Sequence, residues 1–467
     1  MVFSSIIFLF YFLPAVLLCY FLVPRKYLRL RNAVLILFSL FFYFYGEPKG
    51  IFVMIVSIVI NYLGAIFIDK CSGRKKKLFL ILTIAMNLAI LCYYKYSTFF
   101  LDNINQLFQS HIHVPEVVMP IGISFFTFQG MSYAFDVYYR TVEVQKNPFH
   151  VGLYISLFPQ LVAGPIVRYQ TVAEEISCRN TSLEDVSAGI RQFIFGLAKK
   201  VLLANPLGLV ATEIFSQNIA TMAPLTAWMG IIAFTFQIFF DFAGYSDMAI
   251  GLGKVFGFHF PKNFDFPYIS RSITEFWRRW HMSLGQWFRD YVYIPLGGNR
   301  KGLPRQLVNI LIVWLLTGFW HGASWNFILW GLYFAAILVL EKIFLLRWLD
   351  KVWQPIQHIY ALFLIVIGWV IFQFPTFHEI FAYLTAMFGL NEGGDSINLA
   401  VYFWKEYRFE WIFAAICSLP IFSALWNKYR GSQKFMLITN LFTIILLILS
   451  VLSLVGSTFN PFIYFRF

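Results

Sequence analysis

The sequence predicts an all-α polytopic membrane protein, and three observations carry that prediction. Of 467 residues, 59% are hydrophobic and 20% aromatic, and only 13% are charged, against roughly 25% charged in a soluble domain. The mean hydropathy is +0.69. Apolar runs long enough to cross about 30 Å of hydrocarbon recur along the chain.

The clear runs are, in order, "FSSIIFLFYFLPAVLLCYFLV", "NAVLILFSLFFYFY", "IFVMIVSIVINYLGAIFI", "LFLILTIAMNLAILCYY", "LTAWMGIIAFTFQIFF", "LVNILIVWLLTGFW", "FILWGLYFAAILVL", "ALFLIVIGWVIFQF", "WIFAAICSLPIFSALW" and "FMLITNLFTIILLILSVLSL". Residues 117–137 and 187–204 are interrupted by Gly and Pro or mixed with polar residues. Roughly ten to thirteen helices follow, some of them short or re-entrant.

Loop charge orients them. The first run is followed by Arg25, Lys26, Arg29 and Arg31 and is preceded by no charged stretch, so it reads as a first span, not a cleavable signal. The positive-inside rule then puts the N-terminus outside, and "GRKKK" at 73–77, two spans later, fits the same reckoning. "NKYRGSQK" at 427–434 is basic and expected to be cytoplasmic, so the last helix runs outward and delivers the C-terminal tail to the extracytoplasmic side. The setting expected is a membrane crossed many times, with both termini on the extracytoplasmic side.

The net charge of +13 comes largely from such loops. It suits anionic lipid headgroups and an anionic soluble substrate, and gives no ground for nucleic-acid binding. The five cysteines are scattered with no CxxC spacing, which suggests neither a disulfide framework nor a metal site. No internal repeat or soluble domain stands out, so 1–467 reads as one membrane domain. "GLGKVFG" lacks the Ser or Thr of a P-loop, with Val255 in that place, and "FHEIF" is not HExxH.

Residues 241–302 are unlike the rest of the chain. They hold Arg271, Glu275, Arg278, Arg279, His281, Arg289 and Asp290 among Trp277, Trp280 and Trp287. A helix over 272–290 would put Trp277, His281 and Leu284 on one face. An interfacial helix with snorkelling arginines is one reading, and a functional segment is the other.

Next comes a helix starting near Gln306, with His321 fifteen residues along it, about 22 Å from its start. An ionisable residue at that depth is a functional hypothesis by default; a neutral histidine bonded to a neighbouring helix is the structural alternative. Gly318, Gly322, Ala323 and Ser324 around it suit either a slender substrate or close helix packing. The tail, "NPFIYFRF" at 460–467, is aromatic enough to be an interfacial belt.

"FPQLVAGPIVRY", "FDFAGYSDMAIGLG", "FDFPYISRSITEFWRRWHMSLGQWFRDYVYIPLGGNRKG", "TGFWHGASWNFILWG" and "FIYFRF" together resemble the bacterial polysaccharide branch of the membrane-bound O-acyltransferase (MBOAT) family, which includes the membrane subunits of alginate and peptidoglycan O-acetylation. The likeness runs over nearly the whole chain. It implies about 11–13 transmembrane or re-entrant helices around a thin central wall pierced by a tunnel, with a catalytic-histidine helix over 306–333. The family's tunnel histidine falls on His321 and its second histidine on His281.

A cytosolic acyl donor such as acetyl-CoA and an outer polysaccharide hydroxyl require one centre reachable from both sides. A neutral imidazole can take a hydroxyl proton and return it to a leaving thiol, which assigns His321 as general base. His281 positions the donor or holds a tunnel hydrogen bond. Arg278 and Arg279 suit the phosphates of CoA or, equally, the cytoplasmic interface.

A related D-alanylation system uses a small protein whose C-terminal aromatic motif carries an acyl-accepting tyrosine, and "FIYFRF" is similar to that motif. Tyr464 is then expected to carry an acyl ester, with Phe462, Phe465 and Phe467 lodging the tail. The resemblance further implies an SGNH-hydrolase-like extracytoplasmic partner. A teichoic acid D-alanyltransferase and a transporter or flippase are the rival readings.

Overall fold

The computed structural model describes residues 1–162, 164–391, 397–457 and 459–463. Tyr464, Phe465 and Phe467 therefore lie outside the described residues. Among the described residues the chain is helical and contains no strand. Nine helices there are long and apolar enough to cross a membrane: Leu28–Gly46, Gly50–Lys70, Gly73–Phe108, Leu183–Phe215, Pro224–Val255, Leu303–His321, Trp325–Leu349, Gln354–Gln373 and Gln433–Gly456. Arg408–Cys417 and Ile421–Tyr429, bent by 57° at their junction, count as a tenth if taken as one span. Phe8–Leu22 is a shorter apolar helix. The protein is an all-α polytopic membrane protein.

Helix ends follow local chemistry. Pro304 and Pro355 stand in the first turns of Leu303–His321 and Gln354–Gln373, where a missing N–H costs nothing. Thr376 and Glu379 form a capping box on Phe377–Met387, each satisfying a backbone donor near the other.

The chain divides into two compact units, Met1–Phe193 with Tyr245–Pro261, and Ile194–Gly244 with Lys262–Phe467. In the first, a pair of amides is exchanged between helices: Asn61 Nδ2 donates to Asn87 Oδ1 at 2.9 Å and Asn87 Nδ2 to Asn61 Oδ1 at 3.1 Å. In hydrocarbon, such a pair leaves neither side chain unsatisfied. Gly130 lies against the Asn61 amide, with no room for a Cβ.

The second unit is built on an aromatic core that includes Phe276, Trp280, Trp330, Phe334, Trp369 and Tyr383. Its polar side chains tie elements together: Tyr383 Oη donates to the Ala227 carbonyl at 2.7 Å and Trp228 Nε1 to that of Met387 at 2.9 Å. The segment expected to be one histidine helix over 306–333 divides into Leu303–His321 and the start of Trp325–Leu340, so His321 is a helix terminus.

Candidate active site

All the site residues described below lie in the second unit. The Leu303–His321 and Trp325–Leu340 helices form a hairpin whose closeness depends on glycine. A Cβ on Gly318 would overlap the Phe327 carbonyl and stand 3.2 Å from Gly331 Cα, and one on Gly331 would stand 2.5 Å from the Trp314 carbonyl oxygen. Gly322 is filled in the same way by the Phe327 ring. Of the two uses open to these small residues, close helix packing is what Gly318 and Gly322 do.

That packing holds His321 at 4% exposure. Its ring is met edge-on by Trp320 and Trp330, each with centroids 5.0 Å away, and by Phe372 at 5.4 Å. The Trp330 indole N–H is buried and has no hydrogen-bond acceptor among the described residues.

The continuous helix expected over 272–290 is broken. Ile273–Arg279 and Met282–Phe288 are separate helices, Trp280 is extended, and His281 takes a left-handed conformation at φ 43°. Trp277, His281 and Leu284 therefore do not share a helical face. A non-glycine residue in that region is strained, and Asn263 supplies the restraint. Asn263 Oδ1 accepts from Ser283 N at 3.2 Å, from Ser283 Oγ at 2.9 Å and from His281 Nδ1 at 3.1 Å, and the Asn263 carbonyl accepts from Met282 N at 2.9 Å.

Those contacts fix the tautomer. The Ser283 N–H can only donate, so the atom facing it is the Asn263 oxygen, and His281 must carry its proton on Nδ1. Nε2 is left as a buried acceptor with no partner among the described residues. His281 is 3% exposed, and this burial pushes its imidazole down to about 3.

Because that value lies below the roughly 6.5 of an unfolded histidine, the unfolded chain binds a proton that the folded chain refuses. The stabilising difference is present in full above about pH 6.5 and is lost as pH falls toward 3. Melting midpoints in detergent are expected to fall between about pH 6.5 and 4.5, and His281→Phe to flatten that dependence by up to about 1.4 kcal/mol per pH unit. An unchanged slope would show that His281 is not held neutral by burial.

The two histidines share a neighbour. The His281 ring is edge-on to Phe242 at 4.7 Å and 5.9 Å from Trp320, which in turn stacks edge-on to His321. Glu341 secures the backbone just upstream. Its buried carboxylate accepts from Ile273 N at 2.7 Å, Thr274 N at 2.8 Å, Thr274 Oγ1 at 2.6 Å and Tyr360 Oη at 3.0 Å, satisfying the first turn of Ile273–Arg279.

The two arginines separate in character. Arg279 is spent on local pairs, with Nη2 at 2.9 Å from Glu275 Oε1 and Nη1 donating to the Asp265 carbonyl at 3.1 Å. Arg278 is exposed.

Residues leading to the tail enter a buried polar cluster. Lys200 Nζ lies 2.7 Å from Asp241 Oδ1, at 2% and 1% exposure. Lys200 also donates to Asn205 Oδ1 at 2.7 Å and to the Pro461 carbonyl, and Asp241 Oδ2 accepts from Ile463 N at 2.8 Å. Asn205 Nδ2 donates to Asn460 Oδ1 at 3.3 Å, and Phe462 is buried. Lys200 opens this way because the helix carrying it is π-helical over Lys199–Ala204, a widened turn frequent at functional sites. Gly244 lies against the Gly196 carbonyl and Lys200 N, at 2.7 and 3.1 Å from a Cβ position, letting the two helices approach.

Lys200, Asp241, Asn205 and Asn263 were not legible as site residues from motif resemblance. A signal was present for two of them, since "AKKVLLANP" and "IFFDFAGYSD" put Lys200 and Asp241 inside apolar segments, which membranes tolerate only for a reason.

Residues 77–377 match the model of the MBOAT, membrane-bound O-acyltransferase family. The chain belongs to that family. As an MBOAT protein it is a multi-pass membrane acyltransferase, and its catalysis requires an acyl-donor substrate. It is similar to the probable alginate O-acetylase AlgI of Pseudomonas putida, at 35% identity over 100% of both chains. It is similar also to the peptidoglycan O-acetyltransferase of Helicobacter pylori, at 33% over 84% of this chain and 80% of the relative. Likeness to the teichoic acid D-alanyltransferase of Bacillus subtilis is 29% over 58% of this chain and 73% of the relative. Membership in an acyltransferase family removes the transporter reading. For an MBOAT enzyme, the site offers a buried imidazole in His321, a fixed neutral acceptor in His281 Nε2 and an indole donor in Trp330.

Proposed function

We propose that this enzyme carries an acetyl group from cytosolic acetyl-CoA to hydroxyls of an extracytoplasmic polysaccharide, alginate, peptidoglycan or a similar glycan, by way of a tyrosyl ester on Tyr464. The observation that carries this reading is the course of the chain just before Tyr464. Ile463 donates its N–H to Asp241, and the next residue of that helix, Phe242, packs on His281. Ile463 is thus held by a helix whose next residue packs on His281, which supports a tail that reaches the histidines.

In this reading His321 takes the Tyr464 hydroxyl proton as the phenol oxygen attacks the thioester carbonyl. The C–S bond breaks, and the imidazolium returns the proton to the leaving thiolate, releasing CoA. The tyrosyl ester stays activated because a phenol near pKa 10 is not far from a thiol. A serine hydroxyl of an SGNH-hydrolase-like partner then attacks the ester, its proton passing to the phenol oxygen, and the partner passes acetyl to the glycan. His281 Nε2 accepts a hydrogen bond from the bound donor, and exposed Arg278 meets its phosphates. Arg279 holds the Ile273–Arg279 helix in place.

Trp330 Nε1–H is the donor for the oxygen that becomes negative in the tetrahedral intermediate. Trp330→Phe keeps the ring and removes the donor, and is expected to lower kcat about 10²-fold with little change in KM. A loss confined to KM would remove Trp330 from that role.

Loop charge supports a bacterial cytoplasmic membrane location with the N-terminus and tail extracytoplasmic. The lower identity and shorter match to the D-alanyltransferase, beside the full-length likeness to an alginate acetylase, support acetyl over D-alanyl. Intact-protein and peptide mass spectrometry after incubation with acetyl-CoA tests the reading. An acetyl ester on the terminal peptide is expected, and CoA release with glycan acetylation from an unmodified tail would overturn it.

A further inference from the structure

We propose that Lys200 and Asp241, with Asn205, are positioning residues that clamp the backbone at 460–463 and so set the depth and direction at which Tyr464 is presented. The inference rests on the tyrosyl-ester reading above.

A buried lysine and aspartate inside apolar helices are costly, and as a mere stabilising pair they are weak, because well-packed apolar replacements often serve as well or better. What distinguishes this pair is where its remaining hydrogen-bonding capacity goes. Lys200 pairs with the Asp241 carboxylate across 2.7 Å and donates hydrogen bonds to Asn205 and to the Pro461 carbonyl. Asp241 gives one oxygen to Lys200 and the other to the Ile463 N–H. Asn205 is bonded on one side to Lys200 and on the other to the Asn460 side chain.

The cluster therefore grips both polarities of the tail backbone, a carbonyl and an N–H two residues apart, and the amide of the residue before them. Two opposed contacts on successive peptides fix both position and rotation, which a single contact or an apolar pocket does not. The gripped residue Ile463 is the immediate neighbour of Tyr464.

The clamp is read directly by hydrogen exchange at the Ile463 amide, measured by mass spectrometry on the full-length protein in detergent. The double variant Lys200→Met/Asp241→Leu replaces the pair by apolar groups of similar size. It is expected to speed exchange in the terminal peptide at least about tenfold while peptides over Leu303–His321 keep their rate. Equal rates in both proteins, or an unprotected amide in the unaltered one, would overturn the clamp.

A tail-side variant leaves the Lys200–Asp241 pair in place. Ile463→Pro deletes the donated N–H and Ile463→Val keeps it. The first is expected to lower kcat for acetyl transfer at least about tenfold, with KM for acetyl-CoA within about twofold, and the second to stay near the unaltered enzyme. Equal activity of the two would end the positioning role. Failure of the ester reading shows elsewhere: Tyr464→Phe would then retain transfer, while the Ile463 amide keeps its protection and its sensitivity to the double variant.

Discussion

His321→Ala is expected to lower acetyl transfer by at least about 10³-fold, within the 10²–10⁴ that a positioned general base supplies. Removing the imidazole takes away both the acceptor for the phenol proton and the donor for the leaving thiolate, so the first step loses assistance at each end. The readout is thiol release from acetyl-CoA together with ester on the terminal peptide, and both should disappear. His321 fills a space lined by Trp320, Trp330 and Phe372, so alanine there opens a cavity, and a melting curve should accompany the assay. His321→Gln, closer in volume, separates the two causes: it should melt near the unaltered protein and still fail to transfer. A glutamine variant within tenfold of full activity would move the base to another residue.

Tyr464→Phe is the second large effect. It removes one oxygen and keeps the ring, so the aromatic filling of the tail is preserved while the nucleophile is lost. Transfer to the glycan should fall to background, below about 10⁻² of the unaltered rate, since nucleophile and base act as a unit and the loss of either costs nearly as much as the loss of both. The double variant Tyr464→Phe/His321→Gln should therefore be scarcely worse than either single change. Additive losses would point to two separate routes to product. Glycan acetylation in the phenylalanine variant would mean direct transfer from the donor, with the tail serving as a plug.

Several parts of this protein were readable without coordinates. The clear apolar runs marked eight of the nine spans among the described residues, because hydropathy over about 20 residues is a one-dimensional property; Leu183–Phe215, read as interrupted, is a span as well, and the first run forms the shorter helix Phe8–Leu22. Strings such as "TGFWHGASWNFILWG" carried the family and singled out His321. The tail stood out because termini are seldom this aromatic. Where periodicity was extended over a functional stretch it failed: the helix expected across 272–290 breaks at His281. No repeat of apolar positions reports that Asn263, eighteen residues earlier by sequence, has a carbonyl that captures three donors there. The 306–333 segment also divides, at Gly322–Ser324, where a glycine ends one helix and a serine opens the next, local signals that an unbroken apolar run outweighed.

Composition and order of residues by themselves determined the medium this chain lives in, most of its spans and the family, all of which are properties of residues taken one segment at a time. Tertiary structure alone decided the tautomer of His281, the packing use of the small residues beside His321, the withdrawal of Arg279 into local ion pairs, and the grip of Lys200 and Asp241 on the tail. Each of these depends on donors and acceptors brought together from distant segments, in one case from residues 200, 241 and 463. The physical reason is the solvent: where water cannot satisfy a polar group, its partner must come from elsewhere in the fold, and only the fold says which.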